Sequence, residues 1–131
     1  MVMKEHIVAS FDEELSELSQ KVAEMGGIAE QQLADSVAAL ARRDGALAQS
    51  VISIDQRMDH LQREVEDKAT LMIAKRQPMA QDLRQIVGAM HIANDLERVG
   101  DLAKNTAKRF FAIDSNFGSQ RLVAGVEHIA E

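Results

Sequence analysis

Apolar residues recur every three or four positions along three stretches of the chain, which is the spacing of one face of an α-helix. The first apolar stripe consists of Ile7, Phe11, Leu15, Leu18, Val22, Met25, Ala29, Leu33, Val37 and Leu40. Gly26 and Gly27 interrupt this stripe without changing its phase, and two glycines cost only about 1–2 kcal/mol of helix propensity. We therefore predict one long first helix that ends near Arg42 and Arg43.

The same spacing predicts a second and a third helix. The second stripe consists of Leu47, Val51, Ile54, Met58, Leu61, Val65, Ala69 and Met72, and the third of Ala89, Ile92, Leu96, Val99, Ala103 and Phe110. Asp44 is placed to cap the second helix. Pro78 ends that helix and suits the first turn of the next one. The third helix should run from about Met79 to Ala112.

Three helices of this length predict an all-α fold. Each helix is about 45 Å long, and short turns force neighbouring helices to pack antiparallel. We therefore expect an elongated, antiparallel, up-down-up three-helix bundle over residues 1–112. Asp114 to Ser119 has the composition of a loop, which predicts a loop at 113–118.

Residues 119–131 return to helical spacing and predict a short fourth helical segment. A helix of this length is too short to be stable alone, so we expect the chain to be a piece of a longer protein. The missing part would leave apolar surface uncovered. Such surface favours self-association, and we expect a homodimer or another homo-oligomer.

Composition excludes several classes of function. The 131 residues contain no Cys, which excludes a disulfide framework, a thiol nucleophile and thiolate metal sites. The net charge of −6 disfavours nucleic-acid binding, which usually needs a basic face. The longest uncharged stretches are about ten residues, too short to cross a membrane.

Acidic residues at helical spacing are the main chemical signal. Asp55 and Asp59 are four residues apart on the second helix, and Glu66 falls within roughly 40° of them. Glu97 and Asp101 have the same spacing on the third helix, where we expect them opposite the apolar stripe and facing outward. Carboxylate oxygens are the ligands that hard cations prefer, so these pairs predict either a metal site or a solvated acidic face. Spacing alone leaves both interpretations open.

No catalytic constellation is visible. Di-iron helical bundles use Glu-x-x-His on two helices, and no Glu of this chain has a His three residues later. The phosphate-binding loop and nucleophile-elbow motifs are absent too. We therefore predict a protein that is not an enzyme.

The start of the third helix has a structural interpretation. Pro78 begins the helix, and Asp82 in its first turn suits the helix dipole. We expect Leu83 to enter the core and Arg84 to bridge to a carboxylate of a neighbouring helix. Asp95 should form an ion pair between helices with an Arg.

Three runs of sequence together resemble the PhoU family of phosphate-uptake regulators. They are RQPMAQDLR at 76–84, DLERVGDLAKN at 95–105 and IDQRMDHLQREVED at 54–67. The motif positions that carry the resemblance include Pro78, Asp82, Arg84, Asp95 and Arg98. The family fold is two tandem three-helix bundles. The resemblance therefore implies a first bundle at 1–112 and the start of a second, truncated one at 119–131.

The resemblance also implies a function. Family members are non-enzymatic cytoplasmic accessory proteins, often peripheral to the inner membrane. They repress the phosphate-starvation response and act between the phosphate ABC transporter and the phosphate-sensing histidine kinase. Some bind metal clusters through Glu/Asp-x-x-x-Asp motifs.

By residue-wise match, the metal-binding motifs are Glu97 with Asp101, and Asp55 with Asp59 as a second site. The implied ligand is a transition metal or another hard cation, namely iron, manganese, zinc or magnesium. The alternative function is a carboxylate-rich metal-storage or metalloenzyme bundle. Many metal ions per chain, or oxidase activity, would favour that alternative.

Overall fold

The computed structural model describes the backbone of residues 2–128 and the side chains of residues 9–113. It contains three helices, α1 (Val2–Arg42), α2 (Gly45–Arg76) and α3 (Ala80–His128), and no strand within the described backbone. Each helix packs against the other two. The all-α class and the number of long helices are therefore as predicted. No helix in the described part combines the length and the apolar character that a membrane crossing requires.

Two short turns separate the helices at the predicted positions. Asp44 caps α2, since its carboxylate accepts a hydrogen bond of 3.0 Å from the Leu47 backbone N–H. Gln77 ends α2 in the left-handed conformation, with φ of 44°, and its N–H donates to the Ile73 carbonyl at 3.1 Å. Pro78 follows in the turn, which agrees with its inability to continue a helix.

Polar contacts between helices show the relative direction and alignment of neighbouring helices. Residue numbers rise on α1 while they fall on α2 in the pairs Glu14–Arg76, Glu17–Lys68, Lys21–Glu64 and Glu24–Arg57. The same reversal relates α2 to α3 in the pairs Gln62–Asn94 and Asp55–Lys104. Helices that follow one another in the chain thus run in opposite directions over the described side chains.

The interior consists of two apolar clusters. The larger contains Leu18, Met25, Ala29, Met58, Leu61, Val65, Ala69, Met72, Ile86 and Ala93, and the smaller contains Ala39, Ala48, Val51, Ala103, Ala107 and Phe110. Between them lie Gln32 of α1 and Asp55 of α2, which are hydrogen-bonded to each other, and Gly100 of α3, which lies beside both. We call these three residues the polar layer.

The predicted stripe of α1 is wrong in its second half. Leu33, Val37 and Leu40 are 50%, 59% and 41% exposed, while Gln32, Ser36 and Ala39 are buried. The reason is geometric. A step of four residues turns the helix by 400°, so the two successive steps of four from Ala29 carry the stripe away from the buried face. Ile7 lies outside the described side chains.

The other two stripes each contain one misplaced residue. Ile54 is 41% exposed and its neighbour Asp55 is buried, and Ile92 is 51% exposed while Ala93 is buried. In both places the sequence pattern predicts that the more hydrophobic residue, Ile54 or Ile92, is buried. The helix instead directs the smaller or more polar neighbour inward, where it allows close packing or forms specific contacts.

The loop predicted at 113–118 is wrong, because the backbone of α3 remains helical through these residues to His128. Asp, Ser and Asn each cost less than about 1 kcal/mol in a helix, and Gly costs about 1 kcal/mol. No proline lies in the segment, so nothing there forces the helix to end. The described part of 119–131 is thus continuous with α3 and not a separate fourth helical segment, and residues 129–131 lie outside the described backbone. That 119–131 begin a second bundle stays a prediction.

Leu61→Asp should unfold the bundle, whereas Ile92→Asp should not. The Leu61 side chain is fully buried, and an unpaired carboxylate there costs several kcal/mol. Ile92 is half exposed, so its substitution should cost no more than about 1 kcal/mol. Thermal unfolding followed by circular dichroism checks both variants. Equal losses of stability would contradict the assignment of the buried faces.

Candidate metal centre

Three carboxylates from two helices meet at the surface end of the polar layer. Asp55 and Asp59 lie one turn apart on α2, and Asp101 faces them from α3. One oxygen of each lies within 4.8 Å of an oxygen of each of the others. We call Asp55, Asp59 and Asp101 the carboxylate triad. Oxygen donors at this spacing are the arrangement that hard cations bind.

The sequence identified these residues but not their arrangement. Asp101 was expected opposite the core of α3, facing outward, yet it is half-buried and lies against α2. The sequence pattern predicts that Ile92 is on the buried face of α3, whereas the buried face contains Ala93 and Gly100. This rotation of the buried face places Asp101 at the interface with α2. The structure therefore forms one triad across two helices in place of two separate pairs.

Lys104 places a positive charge against two members of the triad. Its ammonium nitrogen Nζ lies 3.1 Å from Asp55 Oδ2 and 3.5 Å from Asp101 Oδ1. The hydrogen bond to Asp55 raises the pKa of Lys104, and the negative charges of Asp55 and Asp101 add to that effect. Lys104 thus stays protonated and offsets part of the charge of the triad.

Asp55 is the buried member of the triad, with 2% of its surface exposed. Both of its oxygens have partners: Oδ1 accepts from Gln32 Nε2 at 3.2 Å, and Oδ2 accepts from Lys104 Nζ. A buried carboxylate without such partners would be strongly unfavourable. Sequence analysis missed Gln32. The signal was present, because Gln32 lies on the line Ala29, Gln32, Ser36, Ala39, which follows the helical period.

Gly100 lets α3 approach this layer closely. A Cβ atom at this position would lie 2.8 Å from Gln32 Oε1, 3.2 Å from Asp55 Oδ1 and 3.3 Å from Met58 Cγ. The first distance is shorter than real Cβ contacts, so the end of the Gln32 side chain would have to shift. A larger residue at Gly100 would therefore disturb the side chain that donates to Asp55 Oδ1.

Burial and repulsion from neighbouring carboxylates raise the pKa of both Asp59 and Glu97. Burial raises the pKa of Asp59, and the negative charge of Asp55 raises it further. Burial also raises the pKa of Glu97, together with repulsion from Asp101 and a hydrogen bond to it. Glu97 is half-buried beside Asp101 but does not belong to the triad, and Glu66 is exposed. A cation at the site would relieve this repulsion.

The motif residues near the start of α3 lie away from the triad. Asp82, Arg84, Asp95 and Arg98 are exposed, and Pro78 is half-buried in the turn. Within residues 9–113, Arg84 and Asp95 form no ion pair, so the predicted bridges between helices are wrong. Leu83, expected in the core, is 37% exposed. The reason is that α3 presents no buried side chain before Ile86.

Glu97→Gln should stabilise the metal-free protein at pH 7. The raised pKa means that the folded protein is more stable when Glu97 is protonated. This contribution to the free energy of unfolding is present at low pH and is lost as the pH rises through the folded-state pKa of Glu97. Removing the charge should add about 0.2–0.5 kcal/mol at pH 7. The gain should disappear below the ordinary glutamate pKa of 4.5. Chemical denaturation in the presence of a chelator measures this, with the exposed Glu30→Gln as control. A loss of stability at pH 7 would contradict it.

Comparison with known proteins agrees with the motif resemblance. The family described as the PhoU domain matches residues 22–110. This match includes the polar layer, the carboxylate triad and Lys104.

Several curated relatives, each named phosphate-specific transport system accessory protein PhoU homolog, align with nearly the whole chain. The relative from Rhizobium meliloti (strain 1021) is 56% identical over 126 residues, which are 96% of this chain and 53% of that protein. The relative from Caulobacter vibrioides (strain NA1000 / CB15N) is 50% identical over 98% of this chain and 56% of its own length. The relative from Pseudomonas putida is 36% identical over 96% of this chain and 49% of its own length. The chain thus spans about half the length of these relatives, and with a domain match over most of its residues it belongs to the PhoU domain family.

Proposed function

We propose that this chain is a non-enzymatic regulator of phosphate uptake and of the phosphate-starvation response. The observation that carries this proposal is the 56% identity to a protein named as a phosphate-specific transport system accessory protein. The matched region is about half of that relative, so the role proposed here is one that this half performs or contributes to. We place it in the cytoplasm, at the periphery of the inner membrane.

We propose further that the carboxylate triad binds a metal ion. The donor set fits a hard cation, because it offers three carboxylate oxygens from two helices, and carboxylates suit magnesium and manganese as well as iron and zinc. The position of Lys104 supports the proposal, since a positive charge already lies between Asp55 and Asp101. A bound ion would supply the charge that the triad lacks and would connect α2 to α3.

The partners we propose are the phosphate ABC transporter and the phosphate-sensing histidine kinase. The exposed turn before α3 and the first residues of α3 support a contact there: Met79 is 81% exposed, and Asp82, Leu83 and Arg84 are exposed beside it. These residues belong to the motif that resembles the family, yet they contribute no buried side chain to the bundle. A mixed apolar and charged surface of this kind suits protein recognition.

Self-association as a homodimer remains part of the proposal. Leu33, Val37 and Leu40 form an exposed apolar row on α1, and apolar surface of this kind favours association. Light scattering at increasing protein concentration tests it. A monomer at all concentrations would remove this part of the proposal.

The alternative is a metal-storage or metalloenzyme bundle. The triad offers three carboxylates and no histidine among the described residues, whereas di-iron bundle centres add Glu-x-x-His from two helices. This donor set favours the regulator. Metal analysis that finds many ions per chain, or measurable oxidase activity, would favour the alternative.

Asp101→Asn should weaken metal binding. It removes one of the three charges of the triad while keeping the shape of the side chain. We expect the affinity for Mn²⁺ to fall about tenfold or more, the loss typical of disturbing a metal site. The exposed Asp95→Asn, on the same helix, is the matched control and should bind like the wild type. Isothermal titration calorimetry measures both. Equal Mn²⁺ binding by both variants and the wild type would contradict a site at the triad.

Arg84→Glu should weaken partner binding without changing the thermal stability, because Arg84 is exposed and makes no described ion pair. Binding is measured by surface plasmon resonance against the ATP-binding subunit of the transporter and the cytoplasmic part of the kinase. A charge reversal within an interface typically costs about 1–3 kcal/mol, a loss of about 5-fold to 150-fold. Lys108→Glu, exposed further along α3, is the control. Binding of neither partner by the wild type would refute the proposed partners.

A further inference from the structure

Lys104 contacts two of the three carboxylates that would bind a metal ion. Its Nζ contacts Asp55 Oδ2 and Asp101 Oδ1, two oxygens of the carboxylate triad. The other oxygen of Asp55 already accepts from Gln32. An ion that binds Asp55 through Oδ2 or Asp101 through Oδ1 would come close to the Lys104 ammonium, and the two positive charges would repel each other.

The two partners of Asp55 approach it from different sides. Gln32 is 1% exposed and holds Oδ1 from inside the bundle. The Lys104 side chain is 25% exposed and holds Oδ2 from the side of Asp101, which is 44% exposed. A lysine ammonium sits on a flexible four-carbon stem. Lys104 can thus leave toward solvent while Gln32 keeps the carboxylate oriented.

We propose that Lys104 is a built-in competitor of the metal ion, and that metal binding exchanges its ammonium for the ion. This inference rests on the metal site of the proposed function and adds a residue that sets its affinity. In the metal-free protein Lys104 keeps the buried Asp55 paired. When the ion binds, the Lys104 side chain moves into solvent and the ion takes over its role at Asp55 and Asp101.

The competition sets the range of metal concentration to which the site responds. The apparent dissociation constant equals the intrinsic one divided by the fraction of molecules with an open site. If Lys104 occupies the triad in about nine of ten molecules, the affinity falls about tenfold. The site then remains in its Lys104-bound form at low metal concentration and exchanges only when the free ion is abundant.

Lys104→Met tests this directly, because methionine keeps much of the length of the stem and removes the charge. We expect the variant to bind Mn²⁺ about tenfold tighter or more in calorimetric titration. It should also be less stable than the wild type in the presence of a chelator, and saturating Mn²⁺ should raise its unfolding temperature more than that of the wild type. The matched control is Lys108→Met. Lys108 is exposed and lies one helical turn after Lys104 on α3, so this variant should behave like the wild type in both measurements.

Each other outcome has one meaning. If Mn²⁺ binds equally to the wild type and to both variants, Lys104 is not a competitor and the metal site of the proposed function stands. If Mn²⁺ binds to none of them, both the exchange and the metal site are wrong, and Lys104 is a structural partner of Asp55 only. If only Lys104→Met loses binding, Lys104 supports the metal instead of competing with it, which overturns the exchange.

A second measurement uses the wild-type protein and does not depend on the variant folding. Acetylation of lysines by a water-soluble ester, followed by mass spectrometry, reports how freely each ammonium reacts. Adding Mn²⁺ should increase the labelling rate of Lys104 several-fold and leave that of Lys108 unchanged. An unchanged or slower rate at Lys104 under saturating Mn²⁺ would overturn the exchange.

Discussion

The buried carboxylate of Asp55 is the constraint on which the rest of this structure depends. It lies between two apolar clusters, where an unpaired charge would be strongly unfavourable. Its two partners come from the two other helices, Gln32 from α1 and Lys104 from α3. Gly100 suits the same level because a side chain there would crowd Gln32 and Asp55. One buried carboxylate thus links all three helices.

The candidate metal centre is an extension of that same group to the surface. Asp59 and Asp101 surround the exposed side of Asp55, and their repulsion is only partly offset by Lys104. Such a site is coupled to the interior, because replacing the Lys104 ammonium by a metal ion would change the partner of the buried Asp55. An acidic patch made only of solvated residues would lack this coupling.

Local signals in the sequence predicted much of the fold. Asp44 and Pro78 located both turns, because capping and the absence of a proline N–H act within a few residues. The four acidic positions at Asp55, Asp59, Glu97 and Asp101 were also recognisable from spacing. The rest depended on which residue of a neighbouring pair faces inward, as at Ile54 and Asp55. Hydrophobicity alone predicts that Ile54 is buried. Asp55 is buried instead because it forms hydrogen bonds with residues of the other two helices, and those residues are distant in sequence.

The polar layer also restricts how the three helices can slide along one another. Apolar residues recur at every turn, so moving α2 by one turn would still match apolar side chains with apolar side chains. That shift would remove Gln32 from Asp55 and would bring the carboxylate against an apolar cluster. Buried polar groups are known to select one alignment among several in helical bundles. In this chain the buried, hydrogen-bonded Asp55 acts together with the ion pairs between helices to disfavour alternative alignments that the apolar stripes alone would tolerate.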